Sequence, residues 1–187
     1  MKYQALCIGN SSFDILIPMD GYPSENEKYT VNETIECGGG PAANAAYLLS
    51  LWGAECWFAG IAGDDACGGM IRGEFTGVST NLSLMEFRKG YATPLSLILA
   101  NTAAGTRTIL HRKGNTAPLG FPPVPPEALK PSLILTDGHE PEAARAAMDA
   151  FPDAHTVLDA GSVRKGILEL SPLVDFLIAS ERFAADY

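Results

Sequence analysis

The sequence of 187 residues predicts an α/β fold, in which a parallel sheet with crossover helices carries a second, smaller antiparallel sheet. The apolar run Ala5–Gly9 is typical of a buried parallel strand. From position 133 onward, strand-like and helix-like segments alternate, as βαβ units require. These segments are Leu133–Thr136, Pro141–Phe151, Thr156–Asp159, Val163–Leu170 and Phe176–Ala179.

The chain is organised around a glycine-rich stretch, Cys37–Ala46. Its three glycines free the backbone, and Pro41 suits the first position of a helix predicted over Pro41–Leu51. A loop of free N–H groups leading into a helix N-terminus favours polar or anionic ligands. The amide of Asn44 both donates and accepts hydrogen bonds, as discrimination of sugar hydroxyls requires. A flexible hinge before a helix is the alternative interpretation.

The same stretch also matches the dinucleotide fingerprint as Gly38-x-Gly40-x-x-Ala43. That fingerprint should follow a buried apolar strand. The preceding segment, Lys28–Glu36, alternates and is half polar, which is typical of an exposed antiparallel strand. A nucleotide-binding oxidoreductase fragment is therefore disfavoured.

The remaining segments predict further strands, one helix and one long loop. Exposed strands are expected at Ile15–Pro18 and Lys28–Glu36, a buried strand at Glu55–Ile61, an Asp-capped helix at Ala66–Phe75, a strand at Asn81–Phe87, a hairpin from Thr93–Asn101 and Thr106–His111, and a proline-rich loop at Pro118–Pro131.

Several polar residues are open to two interpretations. Asp14 follows the first strand and either accepts hydroxyl protons from a polyol or forms a turn. The pair Asp64 and Asp65 either caps the following helix or takes part in catalysis. A basic cluster either meets an acidic or phosphorylated substrate or forms a solvated strand face; it comprises Arg107, His111, Arg112 and Lys113.

Composition excludes several classes of function. The net charge of −9 disfavours nucleic acid and acidic membrane surfaces as partners. No apolar run approaches the roughly 18 residues of a membrane-spanning helix, and the N-terminus enters a strand rather than a secretory signal. Four cysteines without C-x-x-C spacing predict free thiols in a reducing cytoplasm, and the three histidines show no metal spacing.

The order of these motifs resembles the ribokinase-like (PfkB-type) carbohydrate kinases. The resemblance extends from about Tyr3 to Asp186, and among members it is nearest to the ketose-type kinases. It is carried by Asp14 after the first strand, two polar strands, Gly-Gly-Gly-Pro-x-x-Asn, Gly63-Asp64-Asp65-x-x-Gly68, and Ala179-Ser180-Glu181 before Phe183.

The resemblance implies ATP-dependent phosphorylation of a sugar or sugar-like alcohol. It also implies a doubly wound sheet with a β lid formed by about 12–36 and 92–113, within one domain covering 1–187. The implied sugar contacts are Asp14, Gly39, Gly40 and Asn44, with Asn115 in the same pocket and Asp137 or His139 as a further contact. Glu181 is implied near the metal and phosphates.

Two departures from the family pattern limit what this chain is expected to do. In the Asn-x-x-Glu motif, Ser180 replaces the Asn and Phe183 replaces the Glu. The Gly-x-Gly-Asp segment, which supplies the family's catalytic base, lies beyond residue 187. We therefore expect no catalytic residue within this chain and a fold whose C-terminal part is missing. ATP and Mg²⁺ are expected in the intact enzyme but not tightly bound to this chain alone.

The leading hypothesis is the acceptor-binding part of a truncated sugar kinase that is inactive alone. The alternative is a non-catalytic sugar-binding or oligomerising remnant. The apolar residues of the lid strands predict a homo-oligomer formed through the lid, because a thin sheet cannot bury them all on the core. These residues are Val31, Ile35, Leu95, Leu97 and Leu99.

Overall fold

The computed structural model describes residues 3–115 and 118–187. Its strands are β1 (Gln4–Ile8), β2 (Ser12–Met19), β3 (Ile35–Gly39), β4 (Glu55–Ala59), β5 (Ile61–Gly63), β6 (Glu86–Arg88), β7 (Leu95–Asn101), β8 (Thr106–Arg112), β9 (Leu133–Thr136), β10 (His155–Ala160) and β11 (Phe176–Ala179). Its helices are α1 (Pro41–Leu51), α2 (Ala66–Gly77), α3 (Pro141–Ala150), α4 (Lys165–Leu170) and α5 (Glu181–Asp186), with a 3₁₀ turn at Ser171–Leu173.

The central sheet is parallel and has the strand order β11-β10-β9-β1-β4. The chain passes from β1 to β4 on one side and later adds β9 on the other side of β1. In open α/β sheets, ligands bind beyond the carboxyl ends of the strands where the order reverses in this way. The ends of β1 and β9 therefore mark the expected ligand site.

Around β1, an apolar core covers each face of this sheet. Leu6 and Ile8 belong to one apolar core, which includes residues of α3, α4 and α5. Ala5 and Cys7 belong to the other core, which includes residues of α1 and α2. The alternation along β1 thus sends neighbouring side chains to opposite cores. The ribokinase-like, doubly wound architecture is confirmed to this extent.

A four-stranded sheet with the order β3-β2-β7-β8 lies beside the core sheet and is named the lid here, after its predicted role. The expectation of an antiparallel sheet is wrong at one pairing, because β2 and β7 are parallel. The hairpin of β7 and β8 matches its prediction. The strand predicted over Lys28–Glu36 is wrong for most of its length, since only Ile35 and Glu36 lie in β3. The pairing of β2 with β3 ends at Leu16 and Ile35, so among the described residues no strand pairs with 28–34 despite their alternating pattern.

Two other boundaries also differ from the prediction. The strand expected over Glu55–Ile61 divides at Gly60, and β5 leaves the central sheet to pair with β6. A Cβ at Gly60 would lie 2.7 Å from the Phe58 ring, so glycine allows this bend. Of the strand expected over Asn81–Phe87, only its end lies in β6, with one isolated bridge between Trp57 and Asn81.

The cysteines are free thiols, with Cys7 and Cys56 buried. Within 3–115 and 118–187, no helix is both long enough and apolar enough to cross a bilayer.

Candidate functional site

The glycine loop joins β3 to α1 at the end of the lid. Gly40 has a φ of 106°, in the region that favours glycine, and a Cβ there would collide with the carbonyl oxygen of Asn10. Pro41 occupies the first turn of α1, where a missing N–H is tolerated. Tight backbone approach, and not only flexibility, therefore requires the glycine at position 40.

Asp14 packs directly against this loop. It lies on β2 opposite Cys37, and its Oδ2 occupies the space that a side chain at Gly39 would need. The Ser12 hydroxyl donates to Asp14 Oδ1 over 3.0 Å. The carboxylate keeps further lone pairs, so it can accept hydroxyl protons from a ligand at the loop.

Asn44 lies one turn into α1, and its side chain is exposed. Its backbone N–H donates to the carbonyl of Gly40 over 2.8 Å, which starts the helix. Its side chain lines a cavity of about 310 Å³, together with Cys37, Gly38, Gly39, Ala43, Tyr47, Ile71, Glu74 and Phe75. Gly39 thus contacts Asp14 and also borders the cavity that Asn44 lines, so the structure groups four of the predicted sugar contacts around one loop.

Asp137 differs from the residues around the glycine loop in that its carboxylate is fully buried. It accepts hydrogen bonds from the backbone N–H groups of Asn10 (3.0 Å), Ala42 (3.1 Å) and His139 (3.1 Å), and from His139 Nδ1 (3.0 Å). It therefore joins β1, the first turn of α1 and the end of β9. Burial alone would raise the pKa of Asp137, but these hydrogen bonds and the nearby His139 hold that pKa below its usual value. A direct contact with a sugar would require some of these bonds to open.

A second cleft of about 490 Å³ lies where the lid meets the carboxyl ends of the core strands. It is lined by Asn10, Tyr91, Pro94, His111, Lys113, Gly114, Pro118, His139, Glu140, Glu142 and Arg164. The Nδ1 of His139 faces the Asp137 carboxylate, which makes it the donor and leaves Nε2 to accept from Arg164 Nη1. His139 thereby holds the Arg164 guanidinium at the cleft.

The predicted basic cluster divides between several places. His111 and Lys113 line this cleft, and Arg112 Nη2 donates to the carbonyl of Thr93 over 2.9 Å. Arg107 lies on the exposed strand β8. Two members of the cluster therefore line a cleft, whereas Arg107 lies on the exposed surface of a strand.

Asn115 uses its side-chain amide within the protein. Its Oδ1 accepts from Ala92 N and its Nδ2 donates to the Gly90 carbonyl, each over 3.0 Å. The side chain thus tethers the 90–92 segment, while its neighbour Gly114 lines the cleft.

The two departures near residue 180 have structural roles. The Ser180 hydroxyl accepts from Phe183 N over 3.0 Å and caps α5, and Phe183 is buried in the core. Glu181 is exposed in the first turn of α5. Among the described residues there is no group of three or more His, Cys, Asp or Glu side chains that could hold a metal.

Asp65 caps α2, as one reading of the Asp pair predicts. Its Oδ1 accepts from Gly68 N over 2.9 Å. The sequence did not indicate two other contacts, from Asp65 to Thr93 and from Glu74 to Gly38. These pairs are 28 and 36 positions apart, so no local pattern could have identified them.

The family of the chain follows from comparison with known proteins. The model of the pfkB family of carbohydrate kinases matches residues 4–185. The chain belongs to this family. The glycine loop and Asp14 described above lie within the matched region.

Similar proteins agree with this membership in the pfkB family. A mouse ketohexokinase is 30% identical over 107 residues, which is 57% of this chain and 36% of that protein. A crystal structure of a candidate ribokinase from Agrobacterium tumefaciens has a TM-score of 0.85 at 24% identity, covering 100% of this chain and 62% of that one. The structure of Arabidopsis thaliana ribokinase complexed with ribose and ATP has a TM-score of 0.68 at 18% identity, covering 94% and 59%. The chain therefore spans less than two thirds of the length of these proteins.

Proposed function

We propose that this chain is the acceptor-binding part of an ATP-dependent kinase that phosphorylates a sugar or sugar-like alcohol. The observation that carries the proposal is the contact between Asp14 and Gly39 at the loop that begins α1. A carboxylate beside a glycine loop, with the Asn44 amide one turn away, offers both acceptors and donors to neighbouring hydroxyl groups. The arrangement suits a polyol whose reacting hydroxyl has to be oriented.

The proposed roles follow from these positions. Asp14 accepts protons from sugar hydroxyls, and the backbone of Gly39 and Gly40 and the Asn44 amide hold the same sugar. Asp137 keeps the loop in place through Ala42 N. Gly114, beside Asn115, borders the neighbouring cleft and extends the pocket from the lid side.

Phosphoryl transfer needs phosphates, metal and a base to be positioned together. ATP would supply the phosphoryl group, with Mg²⁺ to neutralise its charge. Toward that metal we propose Glu181, which is exposed in the first turn of α5, and we propose no catalytic base among residues 1–187. Tight nucleotide binding is therefore proposed for the intact enzyme and not for this chain alone.

Calorimetric titration of the chain with aldoses, ketoses and polyols tests the acceptor site. Asp14→Ala and Asn44→Ala should each weaken the binding of a sugar by about 1.5–3 kcal/mol, because each removes a polar contact to the ligand. Glu169→Ala, on the exposed surface of α4, is the control and should leave binding unchanged. If a sugar binds and neither site variant weakens it, the assignment of these residues is wrong.

The same protein preparations test whether the chain has kinase activity on its own. With ATP and Mg²⁺, the 187-residue chain should release no ADP in response to any sugar that it binds. Sugar-dependent turnover that disappears in Asp14→Ala would contradict the acceptor-only proposal.

The alternative, a non-catalytic sugar-binding or oligomerising remnant, draws on the exposed apolar side chains of the lid, such as Leu110. The gene sequence beyond codon 187 separates the two. A Gly-x-Gly-Asp segment there supports a kinase, and a stop codon supports the remnant.

A further inference from the structure

One side chain of α2 holds the first glycine of the loop. The backbone N–H of Gly38 donates to both carboxylate oxygens of Glu74, over 3.0 Å to Oε1 and 2.9 Å to Oε2. Gly38 lies on β3, the edge strand of the lid sheet, so no further strand is available to this N–H. Glu74 therefore satisfies an edge donor and connects the lid to a core helix.

The space around Gly38 is fitted to this carboxylate. A Cβ at position 38 would lie 2.7 Å from Glu74 Oε2 and 3.8 Å from Ile71. A side chain at position 38 would therefore displace the Glu74 carboxylate from its present contact with the backbone. Hydrogen bonds to an ionised group of this kind are about twice as strong as those between neutral groups.

This contact lies next to the groups proposed to hold the sugar. Gly39 follows directly and faces Asp14, and the chain then turns at Gly40 into α1. Asp137 holds the far side of the turn through Ala42 N. The loop is consequently fixed by one carboxylate on each side, from α2 and from the end of β9.

We propose that Glu74 is a positioning residue for acceptor binding, acting through Gly38 on the Gly39–Gly40 backbone. This inference rests on the proposed function of the same loop. With Glu74 in place, the loop is ordered before the sugar arrives, so binding does not have to order it. Without this carboxylate, the Asp14 and Asn44 groups remain present but the backbone between them is freer.

The variants Glu74→Gln, Glu74→Asp and Glu74→Ala separate the effect of side-chain length at position 74 from the effect of its negative charge. Gln keeps the length of the side chain and one acceptor oxygen, whereas Asp withdraws the carboxylate by one methylene. We expect Kd for the sugar to rise by roughly tenfold in Glu74→Ala and Glu74→Asp, and by a smaller factor in Glu74→Gln. Glu169→Ala, which removes a helical glutamate elsewhere, should leave Kd unchanged.

Amide hydrogen exchange, followed by NMR in the absence of sugar, gives a second measurement. The Gly38 amide should exchange faster in Glu74→Ala and Glu74→Asp, while the amides of the β1–β4 pairing keep their protection. If Glu74→Ala fails to fold, the sugar Kd and the Gly38 exchange rate of Glu74→Gln, compared with those of Glu74→Asp, still test the inference. Equal Kd values for Gln, Asp and wild type would overturn the inference, as would an unchanged Gly38 exchange rate.

The two experiments distinguish failure of this inference from failure of the proposed function. If the wild-type chain binds sugar through Asp14 and the Glu74 variants bind equally well, only the positioning role is wrong. If the wild-type chain binds no sugar, the proposed function is wrong, and faster Gly38 exchange in the variants would still show that Glu74 orders the loop.

Discussion

At the residue scale, Asp137 connects three elements through a single buried carboxylate. Its oxygens accept backbone N–H groups from the end of β1, from α1 and from its own loop. Leaving a buried N–H donor without its acceptor costs more free energy than the hydrogen bond itself contributes to stability. Asp137, a predicted sugar contact at the end of β9, thus also holds the backbone on both sides of the glycine loop.

Asp137→Asn should destabilise the protein by about 1–3 kcal/mol at pH 7, because one oxygen becomes an amide that faces N–H donors. The pKa of Asp137 in the folded state lies below its unfolded value of about 3.9. Its contribution is therefore fully present above pH 4 and is lost as the pH falls toward the lower folded pKa. Urea unfolding should show the difference between wild type and Asp137→Asn narrowing below about pH 4.

Asp149→Asn, at an exposed position of α3, is the matched control for Asp137→Asn and should change stability little. A stability difference for Asp137→Asn that stays constant from pH 7 to pH 3 would contradict this account.

At the element scale, helix α2 carries two side chains that connect the lid to the core. Glu74 holds the end of β3, and Asp65 at the helix N-cap holds Thr93 just before β7. Asp65 Oδ2 accepts from Thr93 N over 2.9 Å, and Asp65 Oδ1 accepts from Thr93 Oγ1 over 2.6 Å. Thr93 Oγ1 in turn accepts from Gly63 N over 2.8 Å, so the start of β7 is fixed to the core.

Asp65→Ala should therefore have two effects. Loss of the cap should destabilise the protein by about 1 kcal/mol, and loss of the Thr93 contacts should speed amide exchange along β7 and β8. Ser180→Ala removes the cap of α5 instead, so it should leave lid exchange unchanged. Equal exchange in the lid of both variants, measured by mass spectrometry, would exclude Asp65 as a tether.

Elements whose ends are marked by nearby turn or capping residues are predictable from the sequence. Elements that depend on pairing with a distant strand are not. Pro41–Leu51 was found because its proline and glycines mark its start, and the hairpin was found because its turn residues lie together. Residues 28–34 alternate like a strand, yet no strand in the described part of the chain pairs with them. The same limit applies to the site, where Asp14 and Asn44 belong to a motif but Glu74 is defined only by its distant contact with Gly38.

At the scale of the whole molecule, two strands in the described part of the chain leave apolar side chains exposed. Strand β11 is the edge of the central sheet, and Phe176, Leu177 and Ile178 are 53%, 42% and 60% exposed. Because successive side chains of a strand face opposite sides, both faces of this edge are open. On the lid, Ile109 and Leu110 of the outer strand β8 are 47% and 57% exposed.

These surfaces predict two kinds of self-association. An apolar edge strand can pair with further copies without limit, so β11 should promote aggregation and low solubility. The lid surface should support a closed oligomer, as expected from its apolar strands.

Ile178→Lys should therefore raise solubility, and Leu110→Lys should shift the oligomer toward monomer. Thr76→Lys adds the same charge at an exposed position of α2, outside both strands, and it should change neither property. Sedimentation velocity over a range of concentrations separates these outcomes, and a wild-type chain that stays strictly monomeric at high concentration would exclude association through the lid.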